Sequence, residues 1–160
     1  MAVGRRRGEE RAFDEFVRAT EGRVRRALVP VAGVDAARDA TVDALVHVWS
    51  HWERVAGMSN PSGYLYRVAR SRIRYPRPLG EVLGVDVEGP SGVPDVEPRL
   101  VEALAALPER QRVVVYLVHA CEWRYTEVAD LLDLSVSTVR NHADRGLSSL
   151  RRELEVPDVH

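Results

Sequence analysis

Apolar residues recur along this chain at intervals of three and four, the spacing that lines one face of a helix, so the predicted fold is all-α. From residue 9 to about 29, Phe13, Phe16, Val17, Val24 and Leu28 set a first amphipathic helix, with Pro30 and Gly33 marking its end. Residues 35 to 54 form a second, whose predicted core face is Val42, Leu45, Val46, Trp49 and Trp52. Asn60–Pro61 opens a third, since Asn caps well and Pro suits the first turn. It runs to 74 with Leu65, Val68, Ala69 and Ile73 inward. Pro76 stops it, because the residue before a proline is pushed out of the α region.

No helical period survives from 75 to 98. It resumes with Leu100, Leu104 and Leu107, restarts at Pro108, and has its buried middle in Val113 to Val118. Two further runs follow, Val128, Leu131 and Leu132, then Val136, Val139, Leu147 and Leu150, divided near Asp133–Leu134. Ser135, three residues before Thr138, is placed to cap the second run. Asp133 stands where Gly is usual, which is tolerable because Asp enters the left-handed region more easily than most residues. Two short helices joined by a tight turn read as a helix-turn-helix, with the reading helix over about 136 to 152. Pro157 closes the last helix.

Composition divides the chain. Residues 75 to 98 hold five of the nine prolines and four of the eleven glycines, and are too long for an ordinary connection inside a compact domain. The organisation expected is two small helical domains, 9–74 and 99–156, joined by a flexible, acidic, Pro/Gly-rich linker over 75–98. Residues 1–8 read as a disordered Arg-rich tail. No apolar run approaches the roughly 20 residues that span a bilayer, and the Arg-rich start lacks the apolar segment of a signal peptide. The single cysteine, Cys121, excludes an internal disulfide. A cytoplasmic location is expected.

A net charge of −1 argues at first against a nucleic-acid partner. Segregation alters that picture: residues 1–74 carry net +5, residues 75–98 net −4, and residues 136–152 four Arg against one Asp. Affinity for phosphate follows the local patch more than the sum. A pI near 6.5 still predicts weak autonomous binding to DNA.

The candidate chemistry is recognition. On the outward face of the last helix lie Ser137, Thr138, Arg140, Asn141, Asp144 and Arg145; Arg suits a bidentate contact to guanine and Asn one to adenine. Arg67, Arg70 and Arg74 make a basic stripe beside Tyr64 and Tyr66, suited to tracking a backbone with bases stacked alongside. Asp35, Asp39 and Asp43, four apart, put three carboxylates on one helix stripe. A solvated face is the alternative reading of each stripe. His47 and His51 lack the third ligand and the Glu of a metalloprotease helix. Neither a phosphate loop nor a nucleophile elbow occurs, so no enzyme, cofactor, metal or small-molecule substrate is expected.

Taken in order, these features resemble the minimal two-domain sigma factors of bacterial RNA polymerase, the extracytoplasmic-function class of the sigma-70 family. Residues 35 to 74 look like the second sigma region, with Asp39, Asp43 and Trp49 in its docking helix and NPSGYLYRVARSR in its minus-ten segment. LPERQRVVVYL, YTEVADLL and SVSTVRNHADRGLSSLRREL are similar to the fourth region. Val42, Ser71, Tyr75–Pro76 and Arg124 depart from the family pattern.

The resemblance implies core RNA polymerase and promoter DNA as partners, with an anti-sigma protein as a further one. Asp35, Asp39 and Asp43 would dock on polymerase. Gly57, Met58, Ser59 and Asn60 would capture a flipped base, while Tyr64, Arg67, Arg70, Ser71 and Arg74 would follow the separated minus-ten strand. Ser137, Thr138, Arg140, Asn141 and Arg145 would read the minus-thirty-five duplex, with Arg151 and Arg152 near phosphate. Two rival readings are a stand-alone helix-turn-helix regulator and a sigma-like module that titrates an anti-sigma protein.

Overall fold

A computed structural model describes residues 2–75 and 98–155, and all regular structure among them is helical. The predicted linker lies almost wholly outside the described residues, as does Pro157.

Helix α1 spans Ala2–Ala32, longer at both ends than its apolar pattern. Residues 2–8 form its first turns rather than a disordered tail, and Arg5 reaches Glu9 at 3.6 Å and Glu53 at 3.5 Å. Pro30 does not end it. A proline removes one backbone hydrogen bond, but Val29, Pro30, Val31 and Ala32 are all buried, and that packing carries the last turn through. Gly33 ends the helix at φ 93°, with its N–H bonded to the Val29 carbonyl at 2.9 Å.

Helix α2 (Val34–Ser50) turns a different face inward from the one its bulky residues suggest. Ala37, Ala40, Thr41, Ala44 and Val48 are buried, whereas Val42, Val46 and Trp49 are 51 %, 63 % and 42 % exposed. Small residues let α1 and the helix over Pro61–Arg72 approach α2 closely, so alanines fill the contact. At His51 the backbone leaves the helical region (φ −123°, ψ 22°), and a short α3 (Trp52–Ala56) replaces the end of the predicted second helix. Helix α4 (Pro61–Arg72) begins at Asn60, whose Oδ1 accepts from the Gly63 N–H at 2.9 Å.

In the second half, α5 (Pro98–Ala106) precedes α6 (Glu109–Val115), which widens into a π-helical turn over Tyr116–Ala120. Helices α7 (Tyr125–Leu132) and α8 (Val136–Glu153) complete the order. Arg112 ties this half together by donating to the carbonyls of Leu104, Ala105 and Leu107 at the end of α5. It also reaches the Pro30 carbonyl of α1 at 3.3 Å. The two halves share a continuous core, in which Val24, Leu28 and Leu65 from the first join Val113, Leu117, Val128 and Val139 from the second.

Candidate nucleic-acid interface

Helices α7 and α8 meet as a helix-turn-helix. Val128, Ala129, Leu131 and Leu132 share one buried cluster with Val139 and Ala143, so α7 fixes which side of α8 remains outward. Asp133 makes the turn at φ 55°, ψ 49°, in the left-handed region where glycine is commoner. The start of α7 is secured by the Arg124 N–H donating to Glu127 Oε2 at 2.9 Å. Ser135 Oγ accepts from the Thr138 N–H at 3.1 Å, and its hydroxyl lies 2.8 Å from Thr138 Oγ1 and 3.1 Å from Ser137 Oγ. Val136, expected inside, is 38 % exposed at the entrance of α8.

Ser137, Arg140, Asn141, Asp144, Arg145, Arg151 and Arg152 are exposed along α8, and Thr138 is half-buried. Arg140 is held over the Tyr125 ring, 5.7 Å from its centroid, which restricts its guanidinium before any partner arrives. His142 on the same helix is kept below its ordinary pKa by burial, then by Arg110 and Arg145.

The second cluster is the loop 57–60 and α4. Gly57 and Ser59 are exposed; Met58 and Asn60 are half-buried. Tyr64 is fastened from three sides. Arg54 Nη2 donates to its hydroxyl at 3.1 Å, His47 Nε2 lies 3.1 Å from the same oxygen, and the Arg54 guanidinium sits 5.5 Å from the ring centroid. Burial lowers the pKa of His47, with His51, Arg72 and Arg54 adding to the effect.

The basic stripe is not free along its length. Arg70 is half-buried and pairs with both oxygens of Glu109 in α6, at 3.0 and 2.5 Å. Those hydrogen bonds make its guanidinium hold its proton more tightly than usual. Arg67 faces Asp133 at 3.5 Å, while Ser71 and Arg74 are exposed. Tyr66, expected on the surface, is pressed into the junction between the halves, where burial and then Glu109 push its hydroxyl up to about 12. Beside it lies a cleft of about 280 Å³ lined by Arg67, Arg70, Arg110 and Leu132.

The third surface is α2. Asp35, Asp39 and Asp43 are exposed; Asp35 pairs with Arg38 at 2.9 Å, and no ion pair among the described residues engages Asp39 or Asp43. Alongside them run exposed Val34, Val42, Val46 and Trp49. Treating those bulky residues as core hid this apolar strip. The competing stripe of Ala37, Ala40, Ala44 and Val48 was the signal that could have found it. Glu109 was likewise missed, because nothing local in LPERQRVV marks it as a partner for Arg70. Among the described residues, no helix is long and apolar enough to cross a membrane.

The family model described as Sigma-70, region 4 matches residues 98–150. An RNA polymerase sigma-E factor of Streptomyces avermitilis is 33% identical over 95% of this chain and 90% of its own length. A second sigma-E factor, from Streptomyces antibioticus, is 31% identical over 95% and 89%. The fold resembles that of the sigma factor RpoE of Bartonella quintana, solved in complex with the anti-sigma factor NepR. The TM-score is 0.57, with 22% identity, over 91% of this chain and 98% of that one.

Proposed function

The chain belongs to the sigma-70 family of RNA polymerase sigma factors, in its extracytoplasmic-function class, and from that premise we propose how its three surfaces divide the work of an alternative sigma factor. Residues 9–74 act as the domain that docks on core polymerase and takes the minus-ten element. Residues 99–156 act as the domain that reads the minus-thirty-five element, and 75–98 spans between them. Polymerase supplies the chemistry, and the factor works by binding in the bacterial cytoplasm where polymerase is.

Asp35, Asp39 and Asp43, with the exposed strip Val42, Val46 and Trp49, form the docking face. An apolar strip bordered by exposed carboxylates, of which Asp39 and Asp43 have no ion pair among the described residues, is suited to a helical partner with a basic rim, since apolar contact supplies affinity and charge supplies register. Gly57, Met58, Ser59 and Asn60 take an unpaired base, and Tyr64, Arg67, Arg70, Ser71 and Arg74 follow the strand. Ser137, Thr138, Arg140, Asn141 and Arg145 read the duplex, with Arg151 and Arg152 at phosphate. An anti-sigma protein is a further partner of the same surfaces. Dependence on polymerase also accounts for the charge: a net of −1 suffices when the enzyme, rather than the free factor, supplies most of the attraction to DNA.

The observation that carries this reading is the exposed apolar and acidic face of α2 on a chain of this family. Asp39→Arg with Asp43→Arg tests it. The pair is expected to abolish co-purification with core polymerase while the helical circular dichroism stays unchanged, because both side chains are exposed. Undiminished co-purification would contradict the assignment.

A further inference from the structure

Three helices meet at one phenol oxygen, that of Tyr64. The Arg54 guanidinium, from α3, donates to it at 3.1 Å, and His47 Nε2, from α2, lies 3.1 Å from the same atom. His47 is backed in turn by His51, whose Nδ1 lies 2.9 Å from the His47 carbonyl and whose ring centroid is 4.5 Å from that of His47. Arg54 stands three residues before Gly57, and Tyr64 four residues after Asn60, so their bond crosses the base of the loop 57–60. Within that span the Met58 N–H donates to the Val55 carbonyl at 3.0 Å, and Asn60 Oδ1 caps α4. Each of these ties holds one end of the loop to its own helix. The Tyr64 oxygen instead holds the two ends to one another, and both to α2. Whichever way its proton points, both contacts end on one atom.

We propose that His47 and Arg54 are positioning residues for base capture: acting through the Tyr64 hydroxyl, they fix the width of the loop 57–60 and thereby its choice of base. The proposal rests on the assignment of that loop to an unpaired minus-ten base. A base is selected when its edge groups meet partners at hydrogen-bond distance, so a loop left to widen still binds the strand but distinguishes bases less. Neither positioning residue has to touch the strand. The Tyr64 ring remains available to stack, while its hydroxyl is committed inward. The effect therefore belongs to the captured base alone and leaves the rest of the strand, and duplex reading by α8, as they were.

The test uses holoenzyme, assembled from the full chain and core polymerase, on a promoter that it selects in vitro. Affinity is measured by competition, with each base of the unpaired minus-ten strand changed in turn. Tyr64→Phe keeps the ring and removes the shared oxygen. It is expected to lower discrimination about five-fold at one base, the scale of a lost hydrogen bond, and to leave the other positions as in wild type. His47→Leu is expected to behave as Tyr64→Phe does, whereas His47→Gln, whose amide both donates and accepts, is expected to retain most of the discrimination. Arg54→Met is expected to match them and to add nothing in the Tyr64→Phe background. A further loss there would mean that Arg54 meets the strand itself, and would overturn its role. Unchanged discrimination in Tyr64→Phe, or equal weakening at every position, overturns the proposal as a whole. Ser59→Trp, which fills the loop, separates this failure from that of the loop assignment. If it abolishes discrimination at one base while Tyr64→Phe does not lower it, the positioning role alone falls. If it leaves every position unchanged, the assignment of the loop falls and the positioning role with it.

Discussion

Arg140 and Arg151 are both exposed arginines of α8, but their surroundings differ. Arg140 stands in the first half of the helix, over Tyr125, so less of its rotamer freedom remains to be lost on meeting a base. Arg151 lies in the last turn, with no aromatic ring beneath it among the described residues. Arg140→Ala is expected to weaken promoter use by about 1–3 kcal/mol at sequences matching its base and much less at others. Arg151→Ala should reduce binding by a similar small factor across all sequences and lower the salt dependence. Holoenzyme binding to a set of single-base promoter variants at two salt concentrations distinguishes them. A uniform effect of Arg140→Ala would remove it from base reading. The outward residues of α8 were legible because the apolar spacing of Val139 and Leu150 fixes the helix phase. Neither Tyr125 beneath Arg140 nor the His47–Tyr64–Arg54 cluster was, since each joins residues from different helices.

At the scale of elements, the caps were readable and one packing face was not. Asn60 and Ser135 cap as their residue types predict, and Asp133 adopts the left-handed turn. The phase of α2 failed because ranking by side-chain size put Val42, Val46 and Trp49 inside, while close helix approach demanded alanine. The π-helical turn at Tyr116–Ala120 had no local signal. A similar close approach occurs between α6 and α8. A Cβ on Gly146 would stand 2.5 Å from Val115 Cγ2 and 3.6 Å from the Gln111 carbonyl. Valine is stiff at χ1, so the clash cannot be turned away cheaply. Gly146→Ala is therefore expected to lower stability by about 1–2 kcal/mol, despite the better helix propensity of alanine. Denaturant unfolding checks this; a variant as stable as wild type would mean that α6 and α8 pack less tightly than described.

For the whole molecule, the order of parts was legible and their mutual placement was not. Proline and glycine density marked the boundary region, and charge segregation separated basic from acidic stretches. The shared core and the Arg70–Glu109 pair join residues far apart in sequence, and neither partner's neighbours announce the other. The described residues thus form two helical halves that share one core, with the acidic and apolar face of α2 exposed. The most direct test combines purified core polymerase, this chain and a library of bacterial promoter fragments in one transcription reaction. The account predicts a stable complex and chain-dependent initiation at a small set of start sites sharing two spaced elements. Specific DNA binding by the chain alone, with no complex and no transcript from any fragment, would contradict it.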